Sequence, residues 1–196
     1  MARFLLHDRL ARSPSVSDEE LRALLAPPPH GCGADPDACD DYARSAFEVA
    51  LQHSNDATLR RVVRVTTRLS LCAADAVLRS GRITTVFGSF KDAGFERGTA
   101  PIQGGRAWTH VAAECTPPDD MTQLLRVLAN EGSDLHARDA KGRTPLHLLA
   151  RRAEVPQDAV KLLIADVAAL DTKGRSPMDK ASFAGAQMLL RVALGM

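Results

Sequence analysis

Two stretches of this chain are near copies of each other. Residues 139–152 read DAKGRTPLHLLARR, and residues 171–182, beginning 32 positions later, read DTKGRSPMDKAS. A unit this short cannot bury its apolar side alone, so a chain that repeats it must stack the copies into a continuous core. That constraint excludes most single-core folds before any other residue is considered.

The letters of the unit have physical roles. Gly142 and Gly174 permit the positive φ of a tight turn. Thr144 and Ser176 stand at a helix N-cap. Pro145 and Pro177 follow at the first helical position, where a missing N–H costs nothing. Leu146, Leu149 and Ala150 then share one helical face.

Fainter copies keep the register. In GGRAWTHVAAE (residues 104–114), Gly105 takes the Gly142 place and His110 the His147 place. In YARSAFEVAL (42–51), Ser45 is the cap and Phe47 the apolar anchor. Ala43 lies ten residues after Gly33, as Gly142 does after Gly132. Residues 71–94 read as a helix, a turn at Gly81 and a second helix. Residues 3–12 and 17–26 read as an earlier helix pair.

This unit resembles the ankyrin repeat, of which GRTPLHLLA is close to the signature. The resemblance implies an all-α fold, a solenoid of stacked helix-turn-helix units with β-turn fingers. It implies one domain over residues 1–196, in approximate units 1–40, 41–67, 68–103, 104–139, 140–171 and 172–196.

The resemblance also implies function: a non-enzymatic scaffold or adaptor that binds another protein through its fingers and first helices. Carried over by position, the contact residues are Tyr42, Arg44, Arg106, Trp108, Lys141, Arg143, Leu148, Arg151, Arg152, Lys173 and Arg175. The residues that build the motif are Gly105, His110, Gly142, Thr144, Pro145, Leu146, His147, Gly174, Ser176 and Pro177. The other reading is a host-directed viral or bacterial effector, or an inhibitor of a signalling or transcription factor, using the same surface. Irregular repeats with proline-containing insertions resemble those of pathogen ankyrin proteins.

Two features stand out from the motif. Arg44, Arg106, Arg143 and Arg175 recur after the turn position, and a line of arginines would read an acidic or phosphorylated segment. The competing reading pairs them with neighbours such as Asp139 and Asp171. Trp108 replaces the signature proline, and is either an interface anchor or a filler of space left by the glycine-rich turn.

Other chemistry finds little support. A net charge of +1 gives no dominant pull toward nucleic acid or an anionic membrane. No apolar run approaches membrane-spanning length. Cys32, Cys39, Cys72 and Cys115 form no CxxC pair, and with His30 they match no familiar zinc spacing. Reduced thiols fit a cytoplasmic or nuclear setting. No cofactor, metal or catalytic set is expected; the resemblance makes His110 and His147 structural. The apolar residues 186–196 raise self-association through the C-terminal helix, because terminal repeats need a polar outer face.

Overall fold

In the computed structural model, the described residues are 5–27, 30, 32–66, 69–94, 102–193 and 195. They fall into two compact units, one within Met1–Glu96 and one within Arg97–Met196. Among the described residues there is no strand; β-type pairing is limited to isolated bridges such as Cys39 with Ser45 and Ile102 with Arg106.

The first unit contains three helix pairs: α1 (Leu5–Arg12) with α2 (Asp18–Leu25), α3 (Ala46–His53) with α4 (Asp56–Val65), and α5 (Leu71–Arg79) with α6 (Ile83–Asp92). First helices stack on first helices, α1 on α3 and α3 on α5, and the second helix α4 stacks on α6. Local chemistry sets the boundaries. Ser17 caps α2 and Ser45 caps α3, each in a reciprocal capping box with a glutamate three residues on, Glu20 and Glu48. Asn55 and Ser70 cap α4 and α5 with their side chains. The core is small-residue helix faces filled by Leu6, Leu10, Leu59 and Phe47; the Phe47 and Phe90 rings meet at 6.4 Å between centroids.

The second unit repeats the plan with α7 (Trp108–Cys115) and α8 (Pro118–Asn130), then α9 (Pro145–Leu149) and α10 (Gln157–Leu163). Its last pair is reduced. The first helix shrinks to one 3₁₀ turn, Met178–Lys180, before α11 (Phe183–Ala193). Again α7 packs on α9, and α8, α10 and α11 pack in series. The prolines after Cys115, which the sequence presents as an inserted loop, are the helix junction itself: Pro118 is the first residue of α8.

An arginine latch recurs in both units. Arg82 donates from Nη1 to the carbonyls of Leu51 (2.9 Å) and Ser54 (3.1 Å), at the C-terminus of α3. Arg152 does the same at the C-terminus of α7, bonding the carbonyls of Ala113, Glu114 and Thr116 at 3.2, 3.3 and 2.7 Å. The last carbonyls of a helix lack intrahelical donors and carry partial negative charge, so a cation there satisfies both needs.

Candidate functional site

Three of the fingers are each built on one aspartate, Asp40, Asp139 or Asp171. In residues 139–143 the Asp139 N–H donates to the Arg143 carbonyl at 2.9 Å, and the Gly142 N–H donates back to the Asp139 carbonyl at 2.8 Å. Asp139 Oδ1 accepts from the N–H groups of Lys141 and Arg143, at 2.8 and 2.9 Å. Asp171 accepts in the same way from Lys173 and Arg175, both at 2.9 Å. So does Asp40 from Tyr42 and Arg44, both at 2.9 Å. The turn residues take positive φ as the motif requires: Gly142 at 67°, Gly174 at 69°, Gly105 at 65°, and the non-glycine Ala43 at 59°.

This construction engages the arginine column. Arg143 meets Asp139 Oδ2 through Nε at 2.7 Å and through Nη2 at 2.6 Å. Arg44 meets Asp40 at 3.0 and 2.8 Å, and Arg175 meets Asp171 at 3.3 Å. Where Ile102 replaces the aspartate, Arg106 turns to Glu114 instead. The pairing of Arg143 with Asp139 and of Arg175 with Asp171 is therefore the geometry present. Burial pushes the Asp139 carboxyl up, but the hydrogen bonds from Arg143 and the finger N–H groups outweigh it and hold it below the ordinary value. Asp171 is held lower still, first by its bond from the Lys180 ammonium.

Each structural histidine ties its helix to the next finger. His110 Nδ1 accepts from the Ala107 N–H at 3.1 Å, which places the proton on Nε2; that nitrogen donates to the Arg143 carbonyl at 2.8 Å. His147 accepts from the Thr144 N–H at 3.1 Å and donates to the Arg175 carbonyl at 3.1 Å. The first unit has the same tie, from His7 Nε2 to the Arg44 carbonyl at 3.1 Å. The sequence reading missed His7, although its Leu6-His7 pair matches Leu146-His147. Glu48 and Asp179 stand in the His place elsewhere, each accepting from the cap N–H, of Ser45 at 2.9 Å and Ser176 at 2.8 Å. With both ring nitrogens bonded to the chain, His110 and His147 are not placed to act on a substrate. Burial lowers the pKa of both rings, partly offset by the accepting carbonyls.

Three positions read as partner contacts do not present their side chains. Trp108 is fully buried and Leu148 is 3% exposed. Both side chains are buried within the second unit. Arg152 is engaged in the latch on α7. In contrast, Tyr42 is 80% exposed, with the Arg44 guanidinium 5.0 Å from its ring centroid.

What the second unit leaves open is a cleft of about 560 Å³ between its last two fingers and the start of the helices behind them. Six cations line it, Lys141, Arg143, Arg151, Lys173, Arg175 and Lys180, against the carboxylates of Asp171 and Asp179. Asp139 takes Arg143, and Asp171 takes both Arg175 and Lys180. Asp179 is turned to the Ser176 N–H and hydroxyl. Lys141, Arg151 and Lys173 are exposed and form no ion pair among the described residues. The first unit's finger is different in sign. Its shallow cleft of about 130 Å³ carries Asp8 and Asp41 beside Tyr42.

Helix pairs joined to aspartate-built fingers and tied by buried histidines define a stacked-repeat architecture. Part of the second unit carries ankyrin repeats, and the fold of the chain is similar to that of an ankyrin-repeat structure. The family profile, ankyrin repeats in three copies, matches residues 109–194. The crystal structure of the ankyrin repeat domain of Bcl-3, described as a unique member of the IkappaB protein family, is similar to the chain with a TM-score of 0.50 and 20% identity. That similarity covers 82% of this chain and 73% of that one. No curated protein sequence matches. Among the described residues no helix is long and apolar enough to cross a membrane, and no group of three or more His, Cys, Asp or Glu residues is arranged to hold a metal.

Proposed function

We propose that this protein is a non-enzymatic adaptor that holds a partner protein in the finger-and-helix cleft of its second unit. The observation that carries the reading is the set of unpaired cations, Lys141, Arg151 and Lys173, lining a 560 Å³ cleft whose other three cations are held by Asp139 and Asp171. Unmatched like charge in a concave surface stabilises little on its own. It supplies attraction and register for an oppositely charged partner. Rigid placement supports the same role: aspartate-built turns and buried histidine ties hold the fingers without the partner, which lowers the ordering cost of association.

Site-specific photo-crosslinking tests it. A crosslinker at Thr172, an exposed residue of the cleft, is compared with one at Gln123, exposed on α8. The adaptor reading predicts a discrete protein adduct, in lysate of the source cells, from Thr172 and not from Gln123. Equal labelling from both positions, or none from Thr172, contradicts it.

A further inference from the structure

The adaptor reading leaves the chemistry of the partner open, and the charge arrangement narrows it. The cleft's two free lysines stand on different fingers. Lys141 and Lys173 occupy the same position on successive fingers, each just before its turn glycine, and the two fingers are joined by the Thr172 N–H bonded to the Lys141 carbonyl at 3.0 Å. Stacked helices lie about 8–10 Å apart, so equivalent fingertip positions repeat at about that interval. Arg151 adds a third free cation in the same cleft.

A phosphoryl group is best held by convergent guanidinium forks. Here the arginines that would form a fork, Arg143 and Arg175, are bound to Asp139 and Asp171. Two separated ammonium groups instead suit two separated single charges. A polyproline-II segment advances about 3.1 Å per residue with three residues per turn, so its residues i and i+3 lie on one side about 9 Å apart. A helix reaches a similar repeat only after two turns.

Resting on the adaptor reading, we propose that the cleft receives an extended acidic segment of the partner whose Asp or Glu residues recur every third position, with successive carboxylates on Lys141 and Lys173 and Arg151 meeting a further one. The two lysines set the spacing. No carboxylate among the described residues forms an ion pair with the free cations.

Fluorescence anisotropy on the full chain tests this with labelled peptides: (Glu-Pro-Pro)5, its Gln counterpart, a peptide of the same composition with its glutamates clustered, a (phosphoSer-Pro-Pro)5 peptide, and an oligothymidylate. The spaced Glu peptide is expected to bind about tenfold or more tighter than the Gln peptide, a difference of about 1.4 kcal/mol. It is also expected to bind more tightly than the other three probes, and to weaken as salt rises. The double variant Lys141→Glu/Lys173→Glu should lose that binding about tenfold or more, and Lys141→Gln/Lys173→Gln should lose part of it. Lys161→Glu, on α10, should change nothing. Indifference to the Gln substitution, tighter binding of any of the other probes, or full binding by the double reversal would overturn the inference. If Thr172 crosslinks a protein while no acidic peptide binds, this inference fails and the adaptor reading stands. If neither occurs, both fall.

Discussion

The imidazole of His147 donates to the main-chain carbonyl of Arg175, 28 residues further on, at 3.1 Å. His110 makes the equivalent bond to Arg143 at 2.8 Å. In each case the second ring nitrogen accepts a backbone N–H. Only the neutral ring satisfies both bonds, because protonating Nδ1 leaves a buried N–H facing another donor.

That geometry gives a pH dependence. The folded pKa of both rings lies below the ordinary histidine value near 6.5, chiefly through burial. Above that value neither folded nor unfolded chain is protonated, and the shift contributes nothing. As pH falls below about 6.5, the unfolded chain takes up protons that the folded rings refuse, and stability is lost until the folded pKa values are reached. Urea midpoints should fall between pH 7.5 and 5.5. The variant His147→Gln should be less stable at pH 7.5 and show a shallower loss.

The turn glycines are not equivalent. A Cβ at Gly142 would stand 3.0 Å from the Thr172 nitrogen and 3.2 Å from its Cγ2, in the bond that joins two fingers. At Gly174 it would meet nothing within 4 Å. Both carry positive φ, so Gly174→Ala should cost about 1 kcal/mol and Gly142→Ala more. Ala43 already bears the strain at φ 59°, so Ala43→Gly should stabilise the first unit by about 1 kcal/mol. Denaturant titrations of the three variants check the order.

Trp108, the single tryptophan, is fully buried in the second unit. Its emission should be blue-shifted and resistant to iodide, and should report unfolding of that unit. Trp108→Ala should cost about 3–5 kcal/mol. An interface role would instead predict quenching by iodide and near-native stability.

Arg143 and Lys141 are two residues apart and predict opposite outcomes. Arg143→Glu strands the Asp139 carboxylate, whose side chain is 1% exposed, and should cost about 2–3 kcal/mol. Lys141→Glu, exposed and unpaired, should stay within about 0.5 kcal/mol of the parent. Thermal melts separate the two.

Much of the repeat was legible because its residues act locally. A turn glycine, a cap and a proline at the first helical position each declare a backbone state without reference to the rest of the chain. Ala43 was placed by spacing alone, and its φ agrees. What the sequence left open depended on contacts 25 or more residues away. Arg152 looked like a free first-helix residue until the carbonyls of α7 came within its reach, 36 to 39 residues earlier in the chain. Leu148 looked exposed by register, but α9 ends after five residues and packs that position inward. The arginine column had two readings in the sequence, partner contact or pairing with the finger aspartates, and the aspartate pairs are present. It recurs as a contact would recur, yet it is conserved within the chain by the architecture of the aspartate turn. The lysines beside it, which carry no structural bond through their side chains, are where the cleft's unmatched charge resides.

One close approach was invisible in the sequence. The Ser182 N–H donates to the Ala150 carbonyl at 2.8 Å, and α11 begins against the end of α9. A Cβ on Gly185 would fall 2.8 Å from the Ala150 carbonyl carbon, with the oxygen nearer still. Gly185→Ala should therefore displace α11 and lower the melting temperature by several degrees. An unchanged melt would show that α11 moves without cost.

The most direct measurement of the central claim is the dissociation constant for the protein captured at Thr172, taken with the parent chain and with Lys141, Arg151 and Lys173 all reversed to glutamate. The account predicts a loss of at least about tenfold at an unchanged melting temperature. Undiminished affinity in the reversed chain would contradict it.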